Sequence, residues 1–209
     1  MPSDSTDFLP TRWTLLTRLK DWDDQESWRQ FFDAYWQLIY NTALKAGLTH
    51  TEAEEVVQEV VISVAKKMPE FKTGPAAGSF KAWLLKMTQW RITDQFRKRA
   101  RDRTAQRAPA DDDSRTGTIE RIPDPVADQL EAEWDVEWEK NLLHAALQRV
   151  KACVKPELFQ MFDLLVTKQW PALKVSRRLR VSLAQVYYAK YKVSALVKRE
   201  IRKIEKRLL

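Results

Sequence analysis

The stretch Arg177–Val193, RRLRVSLAQVYYAKYKV, has the pattern of two helices meeting at a tight corner. Ser182 is placed to cap the second helix, and Gln185 three residues later completes a capping box. Val186, Ala189, Val193, Leu196 and Val197 recur at helical spacing and are expected to face a core together with Leu173 and Leu179. Ala184, Gln185, Tyr188 and Lys192 then fall on the outer face, near Tyr187 and Tyr191. Arg180 stands where such a corner usually takes a glycine. A side chain in that left-handed conformation costs roughly 1 kcal/mol, which a packed domain absorbs. Two readings follow: a helix-turn-helix that enters the major groove, or a basic surface helix with a half-buried aromatic row.

Charge separates the chain into blocks around this element. From Trp170 to Leu209 there are 12 Lys/Arg against two Glu, and from Lys81 to Arg107 nine Lys/Arg against two Asp. Between them, Pro109–Glu139 carries 11 acidic residues and two Arg. Two basic blocks on helical patterns suggest two polyanion-binding modules; solvated faces are the alternative.

The rest of the chain reads as helix. Asp21–Lys45 places Trp28, Phe31, Phe32, Tyr35, Trp36, Leu38, Ile39 and Leu44 on a broad apolar face. Gly47 is a stop, and Thr49 or Thr51 caps a second helix with Glu52 and Glu54 in its first turn. Val56, Val57, Val60, Val61, Val64 and Met68 form its stripe. After the break MPEFKTGPAAGS, Ser79 caps a third helix anchored by Phe80, Trp83, Leu84, Met87 and Phe96. The polar, acidic Ala108–Pro125 reads as a flexible tether. Beyond it, Leu130, Trp134, Trp138, Leu142 and Leu147 line one side of a long helix, and PELFQMFDLLVTKQ is another, with Pro156 in its first turn. The expected architecture is all-α: two small helical domains, 11–104 and 130–209, joined by a flexible acidic linker, 105–129, with a helix-turn-helix in the second.

Several function classes recede. No apolar run approaches the roughly 18 residues of a membrane span, so membrane insertion is not expected. The start MPSDSTDFLPTRW lacks the basic-then-apolar pattern of an export leader, which makes the cytoplasm the expected compartment. Cys153, the one cysteine, reads as a small core residue. With two histidines, one cysteine and no metal-ligand or nucleophile–base spacing, neither an enzyme nor a metal or cofactor is expected.

Two further motifs bring in a resemblance. AEEVVQEVVISVAKKM is similar to the polymerase-docking helix of bacterial sigma factors, and GSFKAWLLKMTQWRITDQFRKR resembles the promoter-reading segment of the same domain. With the acidic linker and the C-terminal KVSRRLRVSLAQVYYAKYKVSALVK, the chain resembles an extracytoplasmic-function (ECF) sigma factor from about Thr11 to Arg202. The planctomycete-type branch has counterparts of its N-terminal helices. The resemblance implies core RNA polymerase, through its clamp and flap, and promoter DNA as partners, and it leaves room for an anti-sigma factor. It places Glu55, Gln58, Glu59 and Ile62 on the clamp. It places Lys81, Lys86, Trp90, Arg91, Arg97, Lys98 and Arg99 on the minus-ten element, with a flipped base held by the loop Phe71–Ser79. Arg180, Ser182, Ala184, Gln185, Tyr188 and Lys192 fall to the minus-thirty-five element. Trp90 replaces the family's usual Asn, either packing inward or offering a stacking surface. Lys174, Ser176 and Arg180 replace the usual Glu, Ala and Gly. The alternative function is a stand-alone helix-turn-helix regulator that binds duplex DNA without polymerase.

Overall fold

The computed structural model describes residues 12–71, 79–107 and 124–206. Among the described residues there are eight α-helices and no strand. They are α1 Arg12–Arg18, α2 Gln25–Lys45, α3 His50–Lys67, α4 Phe80–Arg107, α5 Asp124–Cys153, α6 Pro156–Phe162, α7 Ala172–Leu179 and α8 Leu183–Lys206. The described residues divide into two compact units at Asn141.

The first unit, Leu15–Asn141, is built on α2, α3 and α4. Asp24 sets the start of α2: its carboxylate accepts from the Ser27 amide at 3.0 Å and hydroxyl at 2.8 Å, and Arg18 Nε donates to it at 2.8 Å. The helix therefore begins at Gln25 and not at Asp21, and α1, which the sequence reading did not anticipate, precedes it. Gly47 closes α2 at φ 93°, with Gly47 N–H bonded to Leu44 O and Leu48 N–H to Ala43 O, so two carbonyls of the last turn are satisfied beyond the helix. Thr49 then starts α3 with a complete capping box: its hydroxyl accepts from Glu52 N–H, and Glu52 accepts from Thr49 N–H at 2.8 Å.

Phe31, Tyr35 and Ile39 of α2, Val56, Val60 and Val64 of α3, and Phe80 and Leu84 of α4 are fully buried and make the core. Phe32 and Trp36, expected on the buried face, are exposed and stack on each other at 6.3 Å. The core turns to the Phe31/Tyr35 side because Tyr35 and Phe31 both meet Phe80, at 5.4 and 6.5 Å.

The early turns of α5 belong to this unit as well. Trp134 is fully buried, and Trp138 stacks on Tyr35 at 6.1 Å. Glu137 is buried among Asn41, Lys45 and Lys140. Burial opposes its ionisation, yet the hydrogen bonds from Lys140, Asn41 and Lys45 hold its carboxyl below the usual range. The stretch 130–141, expected in the second domain, thus packs with the first unit. Both ends of the expected linker are helical, since α4 runs to Arg107 and α5 starts at Asp124; residues 108–123 lie outside the described residues.

In the second unit, Met161, Val175, Val186 and Ala189 form a core over which Leu158, Leu164, Leu165, Trp170, Ala172, Leu179 and Val181 pack. Beyond α6 the chain widens into a π turn, Asp163–Thr167, where one continuous helix was expected; Lys168 N–H reaches back to Asp163 O at 2.8 Å. Cys153, expected in a core, is exposed at the end of α5. Leu173 is 50% exposed and not part of the core, because the single inward position of α7's middle turn is taken by Val175.

Candidate nucleic-acid interface

The valine stripe of α3 buries one side of the helix and leaves the predicted docking residues on the other. Gln58 is exposed, Ile62 is 51% exposed, and Glu55 and Glu59 are half-buried. An exposed isoleucine on a charged helix face gives that face an apolar contact point.

Glu55 and Glu59 are not bare carboxylates. They belong to a seam between α3 and α4 in which acidic and basic side chains alternate partners. Glu52 pairs with Arg99, whose Nε donates at 2.9 Å. Glu55 accepts from Gln95 at 3.0 Å and from Lys98 at 3.1 Å. Arg91 lies 3.7 Å from Glu59 and donates to Ser63 Oγ at 2.7 Å. The Arg99 guanidinium and the Thr49 amide push the Glu52 carboxyl down to about 2. Lys98 and Gln95 hold Glu55 below the ordinary carboxylate range, and Glu55 in turn raises Lys98. Two residue sets that the sequence assigned to different partners therefore meet in one seam. Glu52 and Ser63 were not among them; helical spacing placed both on α3, but nothing local pointed across to α4.

The remaining basic residues of α4 take other positions. Lys81 pairs with Asp135 of α5 at 2.7 Å. Arg97 lies 3.5 Å from Asp94, which also pairs with Arg91 at 3.3 Å. Trp90 points outward, 46% exposed, with Lys67 Nζ 4.6 Å and Lys86 Nζ 5.3 Å from its ring centre. Of the two orientations open to it, the solvent-facing one is found. Trp90, Arg91, Thr93, Asp94 and Arg97 line a shallow cavity on this face. Phe80 is core as expected, and half-buried Trp83 packs on Phe71 at 4.6 Å. Of the loop expected to hold a flipped base, Phe71 is buried and Ser79 caps α4 through the Ala82 amide at 3.3 Å; residues 72–78 lie outside the described residues.

Three helices thus pack together, the second exposing Gln58 and Ile62 beside its acidic seam with the third, and the third carrying a basic, aromatic face. Residues 31–102 match the family model Sigma-70 region 2. The match spans α2 from Phe31, all of α3, and α4 to Asp102. The first unit carries a sigma-70 region 2 domain, and this points to a sigma factor acting with RNA polymerase in promoter recognition and transcription initiation. No curated protein matches the chain.

Beyond the sigma-70 region 2 domain, α7 and α8 make the helix-turn-helix. Arg180 adopts φ 55° and ψ 41°, the left-handed conformation expected of the corner. Its amide and that of Val181 both bond to Ser176 O, and Ser176 Oγ donates to Val181 O at 2.6 Å. The capping box forms: Ser182 N–H and Oγ donate to Gln185 Oε1 at 2.8 and 3.1 Å, and Gln185 N–H donates to Ser182 Oγ at 3.2 Å. Gln185 was expected to cap and to read bases; its carbonyl oxygen is committed to the cap, which leaves the amide nitrogen for reading. Ala184, Tyr188 and Lys192 are exposed on the outer face with Tyr187 and Tyr191, Tyr188 at 60%. Among the described residues no cluster of His, Cys, Asp or Glu is placed to hold a metal ion, and no helix is long and apolar enough to cross a membrane.

Proposed function

We propose that this chain is an ECF-type sigma factor, a dissociable, non-enzymatic subunit that binds core RNA polymerase and selects promoters in the cytoplasm. Its N-terminal motifs resemble those of the planctomycete-type branch. The observation that carries the reading is a match to sigma-70 region 2 whose second helix leaves Gln58 and Ile62 exposed beside the half-buried Glu55 and Glu59, in a chain that also holds a helix-turn-helix. A stand-alone regulator has no use for such a face.

In this reading the α3 face docks on the polymerase clamp. The α4 side supplies Lys81, Lys86, Trp90, Arg91, Arg97, Lys98 and Arg99 to the minus-ten strand, where cations and stacking offset the cost of opening the duplex. The outer face of α8, with Arg180, Ser182, Ala184, Gln185, Tyr188 and Lys192, meets the minus-thirty-five element in the major groove. An anti-sigma factor is the class of partner expected to compete for the α3 face.

Run-off transcription by core polymerase, with and without the protein, on the promoter upstream of its own gene tests this reading. A core complex on a sizing column and a protein-dependent transcript are expected. Duplex binding without any core complex overturns it in favour of a stand-alone regulator.

A further inference from the structure

We infer that the outward face of α7 is a docking groove for an acidic protein segment that carries one bulky apolar side chain. The groove lies within the second unit and shares no residue with the set proposed to meet the minus-thirty-five element. It does not rest on the sigma-factor reading.

Trp170, Pro171 and Leu173 supply the apolar part of the groove, and Lys174, Arg177 and Arg178 supply its charge. Helical spacing sets this order. Leu173 and Arg177 are four residues apart, as are Lys174 and Arg178, so apolar surface at the start of α7 gives way to basic surface one turn later. Val175 takes the inward position and is fully buried, which leaves Leu173 turned to solvent at 50% exposure. Half-buried Trp170 packs over the Met161–Val175 core, and Lys174 Nζ lies 4.0 Å from its ring centre. That contact holds a cation directly against the apolar end of the groove.

The charge has no internal counterpart. No Asp or Glu occurs between Leu164 and Arg199. Among the described residues, none of the three cations forms an ion pair. The π turn packed on α7 brings a single carboxylate, Asp163, and α8 has none before Glu200, which pairs with Lys203 at 2.8 Å. On α4, by contrast, Arg91, Arg97, Lys98 and Arg99 each have a carboxylate partner. Phosphates would satisfy the cations of α7 but have no use for an exposed leucine beside a proline and a tryptophan. A protein segment uses both parts: its carboxylates meet the cations, and its apolar side chain covers Leu173 and takes it out of water. The apolar anchor then carries most of the affinity, and the charged rim sets the association rate and its salt dependence. One face of an eight-residue helix suits a transient partner.

The test uses the full chain and two short fluorescein-labelled peptides. The first is made of aspartate and glutamate around one central Leu-Phe pair; the second has serine in place of that pair. At low salt the first peptide should bind and should shift NMR amide signals within 170–178. The serine peptide should bind at least about tenfold more weakly. Leu173→Ser should lower affinity for the Leu-Phe peptide about five- to tenfold and leave that for the serine peptide unchanged. Arg177→Gln should weaken both peptides about two- to fivefold, an effect that fades in high salt. Both side chains are exposed, so each variant should keep the wild-type urea midpoint. Equal affinity for the two peptides, or shifts centred outside α7, overturns the inference. A mixed-sequence DNA duplex is the competing occupant. Its affinity should not change in Leu173→Ser, and a loss matching that of the Leu-Phe peptide assigns the face to DNA and overturns the inference.

Discussion

Ser176 Oγ donates a 2.6 Å hydrogen bond to the Val181 carbonyl, directly across the corner in which Arg180 holds φ 55°. The two residues are linked by more than proximity. A left-handed Arg carries a steric penalty that glycine does not, and the Ser176 hydroxyl supplies a bond across the turn that alanine at the same position lacks. Arg180→Gly should therefore raise stability by up to about 1 kcal/mol, and Ser176→Ala should lower it by about 1 kcal/mol. The double variant should return near the wild type. Urea midpoints at unchanged slope provide the measurement; a neutral Ser176→Ala shows that the bond contributes nothing to the corner.

Gln185 holds two tasks that substitution can separate. Its Oε1 closes the capping box on Ser182, and only its amide nitrogen is left for a base edge. Gln185→Glu keeps an acceptor for the cap and loses the donor, so helix content and stability should persist while base preference at one promoter position changes. Gln185→Ala loses both and should also destabilise by about 1 kcal/mol. Selection from a randomised minus-thirty-five library, run beside urea unfolding, distinguishes the two variants. Identical library outcomes for wild type and Gln185→Glu remove Gln185 from the reading set.

What was legible in the sequence was local. The capping boxes at Thr49–Glu52 and Ser182–Gln185, the Gly47 stop and the left-handed site at Arg180 each involve residues within a turn or two of one another, so spacing alone determines them. Rotation about a helix axis was less legible. Phe31 and Phe32 are chemically identical neighbours, and which one turns inward depends on packing against residues distant in the chain, Phe80 among them. The continuous stripe Leu130–Trp134–Trp138–Leu142 announced a helix without naming its partners, so the break between units at Asn141 was invisible. The α3–α4 seam was hidden for the same reason: its pairs join residues such as Glu55 and Lys98 that lie far apart in the chain.

The burial of Trp134 makes the early turns of α5 part of the first unit energetically as well as spatially. Trp134→Ala should destabilise that unit by about 3–5 kcal/mol, since it removes a large, fully buried ring from a packed core. Hydrogen exchange at amides of α2 around Tyr35 should accelerate accordingly, because Tyr35 stacks on Trp138 one turn further along α5. Glu131→Ala, on the exposed side of the same helix, should leave exchange unchanged. Unaltered protection of α2 in Trp134→Ala refutes the assignment of 130–141 to the first unit.

Acid sensitivity should concentrate on Glu52. Arg99 and the Thr49 amide hold its carboxyl at about 2, against an ordinary value of 4.5. A carboxyl depressed in the folded state binds its proton less readily there than in the unfolded chain. Its stabilising contribution is therefore complete above about 4.5 and is lost as pH falls from there towards about 2. Glu52→Gln is the informative substitution, because a glutamine still accepts from the Thr49 amide and keeps the capping box while the charge is gone. At neutral pH the wild type should be more stable than Glu52→Gln by about 1 kcal/mol, a modest figure because Arg99 is partly open to solvent. That gap should narrow steadily between pH 4.5 and 2 and should shrink in high salt at neutral pH. Urea midpoints of both proteins across this window measure it. A gap that stays constant to pH 2 means that the Glu52–Arg99 pair is not what stabilises the junction of α3 and α4.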